Sequence, residues 1–296
     1  MTVSVIIVTY NTRQMTAECI DSIFERTKGV DFEIILVDNA STDGSKELFE
    51  KDSRIKYIYS SENLGFGRGN NLGYKYATGD YIFLLNSDTL LVNDAVSLFY
   101  DFMHNSPKNI GCVGCVLQNR ERQSIHSYHL KFPTLSWFFQ EILCFSIPGL
   151  WNPYKRDNKR ARKDNYPLEV QQITGADMFI RRNVIEECGL FDPDFFMYFE
   201  ETEMQHRFYK KGYSSVIIDS PEIIHLVGFS SKQNKTKFLK KYNRVMRGRF
   251  TYAKKVFNLP SYLLFRFICL MVIPRVLLSN YSMADKGEML RILFGK

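Results

Sequence analysis

A short apolar stretch that ends in a polar triplet constrains the fold of this chain more than any other feature. Residues 81–85 are consecutively apolar, and they run directly into Asn86, Ser87 and Asp88. Such a run is typical of a strand that is buried on both faces. Strands of this kind deliver the residues after them to the carboxyl edge of an open α/β sheet, where ligands bind.

The triplet has two interpretations. Its carboxylate, amide and hydroxyl are hard oxygen ligands of the kind that Mg²⁺ or Mn²⁺ prefers, and Mg²⁺ often takes only one or two ligands from protein. The same three residue types also favour turns, so the spacing alone fits a turn equally well.

The first half of the chain alternates between strands and helices. Strands are predicted at residues 4–9, 33–37 and 55–59, ahead of the strand at 81–85. Helices are predicted at 15–24, from 45 onward, and after the glycine-rich segment 65–69. This order predicts a doubly wound α/β sheet whose polar strand ends gather along one edge.

The polar residues at these strand ends suit a nucleoside diphosphate. Asp38 follows the second strand and could accept from a ribose hydroxyl or a base N–H. Gly65 and Gly67 would let backbone approach a ligand closely. Asn70 stands where the third glycine of GxGxxG would be, which disfavours a dehydrogenase-type site. The alternatives are a helix N-cap for Asp38 and a structural turn for the glycines.

Four segments, in order along the chain, carry a family resemblance. They are VSVIIVTYN at 3–11, VDNASTDG at 37–44, ENLGF at 62–66 and LNSD at 85–88. Together they resemble the signatures of the family 2 glycosyltransferases, most closely the rhamnosyltransferase-like branch of bacterial polysaccharide synthesis. The resemblance implies a GT-A fold, which is a Rossmann-like doubly wound mixed sheet. It also implies a nucleotide-sugar donor, a divalent metal, either Mg²⁺ or Mn²⁺, and inversion at the anomeric carbon.

The resemblance also implies donor-binding roles. The residues concerned are Thr9, Tyr10, Asn11, Asp38, Asn63, Gly67, Asn70, Asn86, Ser87 and Asp88. The first three would line the nucleoside pocket, and Asp38 would bind the base. Asp88 would hold the metal together with His225, although a histidine beside apolar residues is also commonly a packed one. Asn86 stands where many relatives carry the first Asp of a DxD motif, so we expect modest metal affinity.

The segment 189–204 carries the candidates for a catalytic base. An attacking hydroxyl must lose its proton, and burial among aromatic residues raises a carboxylate's pKa and so suits it as the acceptor. By the resemblance Glu201 is the base, while Glu203 could merely pair with Arg207 one turn later. The resemblance implies three acceptor-side residues: Gly175, Asp177 and Glu200. The alternative is that the carboxylates simply favour a helix N-terminus.

The net charge of +7 is unevenly distributed. Twelve Lys or Arg and no acid lie between Glu222 and Asp285, which indicates an anionic partner. No nucleic-acid-reading motif accompanies this charge, so nucleic acid is not expected as a partner. The first residues do not resemble a secretory signal, so we expect a cytoplasmic protein with reduced cysteines and interpret Cys112 and Cys115 as packing residues.

Two further segments point to lipid. Residues 131–165 are predicted to be an insertion, rich in aromatics and then in basic residues at 155–163. It either touches a membrane surface or a lipid-linked acceptor, or forms a solvated basic loop over a packed aromatic helix. The apolar run 267–273 is bounded by Arg266, Pro274 and Arg275. It predicts an interfacial helix at the cytoplasmic face of the inner membrane. The alternative to an interfacial helix is an ordinary helix packed on the catalytic domain.

These observations predict a catalytic domain at 1–230, with a nucleotide-sugar half at 1–117 and an acceptor half at 118–230, followed by a basic, amphipathic helical region at 231–296. The expected activity is transfer of one sugar to a hydroxyl of a lipid-linked glycan. The alternatives are a nucleotidyltransferase on a related sheet and a non-catalytic membrane-associated scaffold.

Overall fold

A central eight-stranded sheet organises residues 2–146, 165–226 and 235–294, the part of the chain that this computed structural model describes. Its strands are β1 Val3–Thr9, β2 Phe32–Asn39, β3 Lys56–Ser60, β4 Tyr81–Asn86, β6 Ile110–Cys115, β8 Leu168–Val170, β10 Asp177–Arg181 and β11 Ser214–Ile218. Two small sheets pair β5 (Thr89–Leu91) with β12 (Ile223–His225), and β7 (Tyr128–His129) with β9 (Gln172–Ile173).

The strand order is β3-β2-β1-β4-β10-β6-β11-β8. The first four strands of the chain are parallel neighbours, as the alternation of strands and helices predicts. The strand β10 lies antiparallel between β4 and β6, which makes the sheet mixed. The expected mixed α/β sheet is therefore confirmed.

Helices flank the sheet and follow it. They are α1 Arg13–Arg26, α2 Ser45–Phe49, α3 Phe66–Tyr74, α4 Ala95–Asn105, α5 Leu135–Ser146, α6 Arg182–Cys188, α7 Glu200–Lys210, α8 Lys235–Val256, α9 Leu259–Cys269, α10 Ile273–Leu278 and α11 Met283–Leu293. A 3₁₀ turn at Leu270–Val272 joins α9 to α10. The helices predicted in the first half all form, with ends shifted by a few residues.

Two hydrophobic cores lie on opposite faces of the sheet, because successive side chains of a strand point to opposite sides. In β4, Phe83 and Leu85 belong to one core, while Ile82 and Leu84 belong to the other. All four are at most 1% exposed. The central strand is therefore buried on both faces, as the apolar run predicts.

A third core joins the C-terminal helices to α5 and to the segment that precedes α7. Phe138 of α5 lies 4.8 Å from Phe265 of α9, and it stacks on Phe199, which directly precedes α7. The predicted boundary at 230, the basic cluster at 155–163 and most of the predicted insertion beyond residue 146 lie outside the described residues. The domain division therefore stays a prediction.

The segment Leu259–Leu278 is long and apolar enough, by length and composition, to cross a membrane. Its mean hydropathy is 1.9, and only 28% of it is buried. Its large apolar side chains at roughly helical spacing are exposed: Leu259, Leu263, Leu264, Phe267, Met271, Leu277 and Leu278.

Candidate active site

The polar ends of three neighbouring strands meet at one edge of the sheet. Thr9 at the end of β1 pairs in register with Asp38 of β2, and Val8 pairs with Asn86 of β4. Since β1 lies between the other two strands, the residues that follow all three are neighbours. The parallel order of these strands thus produces the cluster that the sequence predicts.

A group of hydroxyls joins the end of β1 to the turn after β4. Thr9 Oγ1 lies 2.8 Å from Thr16 Oγ1 and 2.9 Å from Thr12 Oγ1. Thr12 Oγ1 in turn lies 3.2 Å from Ser87 Oγ. Thr9 is fully buried, while the neighbouring Tyr10 is 49% exposed at the edge. Thr12 and Thr16 were not singled out in the sequence, because their role depends on a partner 75 residues from Thr12.

The end of β2 is held by its own carboxylate. Asp38 is buried, and its two oxygens accept from the Ser41 backbone N–H and the Tyr57 hydroxyl, each at 2.8 Å. Burial is the main cause that raises the pKa of Tyr57 well above its usual value, and the hydrogen bond to Asp38 raises it further. The helix α2 is capped by Gly44, so the N-cap alternative for Asp38 is wrong. Recognition of a base by Asp38 stays a prediction.

The loops after β1 and β2 are tied together. The Asn11 N–H donates to Ser41 Oγ, and Asn11 Oδ1 accepts from the Thr42 N–H at 2.7 Å. Asn11 has a φ of 54°, in the left-handed region that Asn tolerates better than most residues. These hydrogen bonds hold the loop that carries Tyr10 against the loop after β2.

Asn39 holds the segment that leads into the glycine-rich turn. Its Nδ2 donates to Asn63 Oδ1 at 3.2 Å and to the Gly65 carbonyl at 3.0 Å, and its Oδ1 accepts from the Leu64 N–H. The predicted donor residue Asn63 also accepts from the Gly65 N–H. Asn39 therefore positions Asn63, a role that its place beside Asp38 did not reveal.

The glycines of this turn allow close approach of other protein segments. Gly65 has a φ of 80°, and a Cβ there would collide with the Phe196 carbonyl oxygen, which accepts from the Phe66 N–H at 3.0 Å. A Cβ on Gly67 would lie 3.6 Å from the Cβ of Glu200. The donor-side turn thus abuts the segment that carries the candidate base. The structural-turn alternative describes these contacts, and a donor role for Gly67 stays a prediction.

Asn70, another predicted donor residue, is buried in α3. It is 1% exposed, and its side-chain amide donates to the Phe66 carbonyl of its own helix. Its neighbour Asn71 makes two hydrogen bonds to the Phe191 backbone. The described contacts of Asn70 are structural, so its donor role also stays a prediction.

The two predicted metal ligands lie side by side. His225 Nε2 is 3.1 Å from Asp88 Oδ1 and 3.3 Å from Asn86 Nδ2. The pairing of β5 with β12 brings them together, since His225 is in register with Thr89 and the Leu226 N–H donates to the Asp88 carbonyl. Residues 137 positions apart thus converge at the tip of β4.

Two of the predicted acceptor-side residues lie beside the end of β4, where Asp177 of β10 pairs with Leu85. A Cβ on Gly175 would lie 3.2 Å from the Phe66 ring, and the Asn86 N–H donates to the Ala176 carbonyl. Asp177 is fully buried, and its Oδ2 accepts from the Cys115 N–H at 2.7 Å. Burial raises the pKa of Asp177 to about 8. The described role of Asp177 is in packing, and contact with an acceptor stays a prediction.

The predicted packing role of the two spaced cysteines is confirmed. Cys112 and Cys115 are both fully buried on β6, and both are free thiols. Burial raises the pKa of each thiol, which keeps both of them protonated.

The candidate base lies at the start of α7. Tyr198 and Phe199, just before it, have φ values of 73° and 71°, a strained pair for residues of this size. Glu203 pairs with Arg207 at 2.9 Å, so the predicted helical ion pair is confirmed. Among the described residues, neither Glu200 nor Glu201 forms an ion pair with Lys or Arg.

Glu200 and Glu201 differ in their surroundings. Glu200 is 3% exposed, and its Oε2 has no hydrogen-bond partner within the described part of the chain. Its burial, and then the charge of Glu201, raise its pKa well above the ordinary value. Burial also raises the pKa of Glu201, but backbone N–H groups and the nearby His129 oppose that rise. Burial of Glu200 and the charge of its neighbour thus both favour the protonated form of Glu200. His129 was not singled out in the sequence.

Known proteins resemble this chain in sequence and in fold. The glycosyl transferase family 2 model matches residues 4–189. The chain is 26% identical over 262 residues to the low-salt glycan biosynthesis hexosyltransferase Agl10 of Haloferax volcanii, covering 86% of this chain and 76% of that protein. It is 23% identical over 206 residues to an N-acetylglucosaminyl-diphospho-decaprenol L-rhamnosyltransferase of Mycobacterium tuberculosis, covering 65% of this chain and 66% of that one.

A solved structure shares the fold. The mannosyltransferase PcManGT of Pyrobaculum calidifontis, in complex with GDP-Man and Mn²⁺, superimposes with a TM-score of 0.59 over 97% of this chain and 78% of that one, at 15% identity. The fold is thus of the GT-A type that the sequence predicts. Because the family model covers more than half of its length, this chain belongs to glycosyl transferase family 2.

Proposed function

We propose that this glycosyltransferase moves one sugar from a nucleoside diphosphate sugar to a hydroxyl of a lipid-linked glycan, with inversion, during synthesis of a cell-surface polysaccharide. The observation that carries the proposal is the 3.1 Å approach of Asp88 and His225 at the polar strand tips. The GDP-Man and Mn²⁺ in PcManGT support a nucleotide-sugar donor and a divalent ion. The name of the mycobacterial relative supports a diphospho-lipid acceptor.

The side-chain atoms of Asp88 and His225 that meet at the end of β4 fit a divalent ion. One imidazole nitrogen and one carboxylate oxygen face each other, and both are ligands of Mn²⁺, while Mg²⁺ favours the oxygen. Within the described residues no group of three or more His, Cys, Asp or Glu converges, so the chain offers two ligands there. When bound, the ion would act as a Lewis acid that neutralises the departing diphosphate.

The chain's own residues supply the remaining chemistry. Glu201 takes the proton of the acceptor hydroxyl, whose oxygen then bonds to the anomeric carbon. The bond from that carbon to the diphosphate breaks, and the nucleoside diphosphate leaves with the electron pair. A single in-line displacement of this kind inverts the anomeric centre. Asp38, Tyr10 and Asn11 hold the nucleoside during this step.

The two adjacent glutamates have different roles in this proposal. The more buried Glu200 retains a proton, because burial and the charge of Glu201 both disfavour its ionised form. Glu201 is then the carboxylate that accepts the substrate proton. Gly67, where an added Cβ would lie 3.6 Å from the Glu200 Cβ, keeps the donor turn beside this pair.

The C-terminal helices bind the cytoplasmic face of the inner membrane in this proposal. Leu259, Leu263, Phe267 and Met271 recur every four residues and are all exposed, which puts an apolar stripe on one face of the helical segment. In the sequence, the basic residues of α8 precede this stripe and Arg266 falls within it, and cations favour an anionic lipid surface.

A vesicle experiment tests the membrane contact. A Leu263→Ser and Phe267→Ser double variant should lose most of its flotation with phosphatidylglycerol-containing vesicles, since both side chains are more than half exposed. Leu48→Ser, which removes a 47% exposed leucine from α2, is the matched control and should float like wild type. Equal flotation of the double variant would contradict an interfacial role for this face.

A donor screen tests the catalytic proposal. Thermal unfolding is followed with UDP-, dTDP- and GDP-sugars, each with and without Mn²⁺. We expect one nucleotide class to raise the unfolding temperature only when Mn²⁺ is present, because ligands that bind the folded state stabilise it. The absence of any Mn²⁺-dependent shift or turnover across the three classes would contradict the proposal.

A further inference from the structure

Apart from the candidate active site, a cleft of about 370 Å³ lies between residues 194–197 and helix α8. Its lining is apolar on one side and basic on the other: Phe196, Met197, Phe250, Ile292, Arg244 and Arg247. The volume is within the range of small-molecule sites. The segment that forms one wall continues directly into α7, where Glu201 lies.

Two other basic residues of α8 form ion pairs with carboxylates. Lys255 contacts Asp192 at 2.8 Å and Asp194 at 2.7 Å. Arg249 forms an ion pair with Glu141. Asp194 also lines the cleft, so its charge is already matched by Lys255.

The two arginines of the cleft have no such partner among the described residues. The Arg244 guanidinium lies 5.3 Å from the centre of the Phe196 ring, and its Nη1 is 3.9 Å from Met197 Sδ. Among the residues that the structure describes, no carboxylate lies within 4.0 Å of Arg244 or Arg247. Both side chains are exposed and one helical turn apart, so they can address one anion together.

The residues that line the cleft pack against both the segment before Glu200 and the glycine-rich turn. A Cβ on Gly248 of α8 would collide with the Tyr198 carbonyl, so the helix backbone packs directly on the residues before Glu200. The Phe196 carbonyl accepts from the Phe66 N–H at the glycine-rich turn. A group held in the cleft therefore lies beside both the base segment and the donor turn.

The apolar side of the cleft leads toward the exposed stripe of the C-terminal helices. Phe250 packs 5.5 Å from Phe265 of α9, and Arg266 lies over the Phe250 ring. Leu263 and Leu264, beside Phe265 in the chain, are exposed. The arginines of the cleft thus lie beside the segment before Glu200, and Phe250 connects the cleft to α9.

We propose that this cleft binds the phosphate group that joins the acceptor glycan to its lipid. Arg244 and Arg247 donate to the phosphate oxygens, since guanidinium groups match phosphate geometry. The lipid chain leaves over Phe250 and Ile292, and the glycan extends toward Glu201. This inference rests on the proposed transfer to a lipid-linked acceptor and specifies where that acceptor is held.

The test uses farnesyl diphosphate, a soluble lipid diphosphate, in isothermal titration calorimetry with the full chain. EDTA is present, so that metal-dependent diphosphate binding at Asp88 and His225 does not contribute. Wild type should bind the probe. An Arg244→Gln and Arg247→Gln double variant should bind it roughly a hundredfold more weakly, about tenfold for each lost charge-assisted hydrogen bond.

The matched control is a Lys240→Gln and Lys254→Gln double variant. Both lysines are exposed on the same helix outside the cleft, and the change in net charge is identical. This control should bind within twofold of wild type. Circular dichroism and thermal unfolding of all three proteins establish that they are folded.

Several outcomes would overturn the inference. They are a wild type that does not bind the probe, an arginine double variant that binds as wild type does, and inorganic pyrophosphate binding as tightly as farnesyl diphosphate. Loss of flotation with vesicles of phosphatidylcholine and phosphatidylglycerol, while probe binding persists, would instead assign the arginines to the membrane surface. Mn²⁺-dependent binding of nucleotide sugars, measured on the same wild-type preparation, separates these failures from a failure of the proposed function.

Discussion

Replacing Asp177 by Asn tests the buried carboxyl at the start of β10. The side chain is fully buried and its Oδ2 accepts from the Cys115 N–H, while no described residue forms a hydrogen bond with its Oδ1. Burial raises the pKa of Asp177 to about 8, against about 3.9 in an unfolded chain. The folded protein therefore keeps a proton on this group at neutral pH, where the unfolded chain has lost it.

The direction of the pH effect follows from this difference. Between about pH 4 and pH 8 the folded state binds more protons, so the contribution of Asp177 to stability falls as pH rises, by up to about 1.4 kcal/mol per pH unit. The Asp177→Asn variant has no proton to lose. From pH 5.5 to 7.5, its free energy of unfolding relative to wild type should therefore rise by roughly 2 to 3 kcal/mol.

Urea unfolding followed by circular dichroism at pH 5.5, 6.5 and 7.5 measures this difference. With an m-value of about 3 kcal/mol/M, the midpoint of the variant should shift by about 1 M relative to wild type over that range. Asp101→Asn, a change at an exposed carboxylate on α4, is the control and should show no such trend. A relative stability of Asp177→Asn that stays constant with pH would show that the carboxyl is already ionised in the folded protein.

Two further predictions concern the base and the donor turn. Glu201→Gln should retain nucleotide-sugar binding but lose about 10²- to 10⁴-fold in kcat, measured as release of nucleoside diphosphate, because it removes the proton acceptor. The exposed Glu288→Gln should keep wild-type turnover, and wild-type rates in Glu201→Gln would refute the assignment. Gly65→Ala should lower the unfolding temperature more than Gly212→Ala does. Both positions have positive φ, but only at Gly65 does the added Cβ collide with another segment. Equal losses would show that backbone strain alone matters.

The strands of the first half could be predicted because each is a local apolar run. The strand at 81–85 is observed as Tyr81–Asn86 and is buried on both faces, since its side chains serve both cores. The closeness of Asp88 and His225 could also be anticipated, but only through the resemblance, because 137 positions separate them. The local sequence around His225 is equally typical of a packed histidine.

Other parts of the site depend on long-range pairing and left no local signal. Nothing near Asp177 indicates that its strand inserts antiparallel between β4 and β6. Asn39 looks like one more polar residue after a strand, yet its amide organises Asn63 and Gly65. The glycines suggested room for a ligand, whereas at Gly65 the space is filled by the Phe196 carbonyl of a distant segment.

In the proposed function, Asp88 and His225 together hold the ion that accompanies the donor diphosphate. Titration calorimetry of Mn²⁺ into protein saturated with its best donor nucleotide tests this most directly, with Asp101→Ala as the matched carboxylate control. We expect Asp88→Ala and His225→Ala each to weaken Mn²⁺ binding by about tenfold or more, a loss of about 1.4 kcal/mol or greater, while the control is unchanged. Mn²⁺ affinity that is the same in all four proteins would contradict the account.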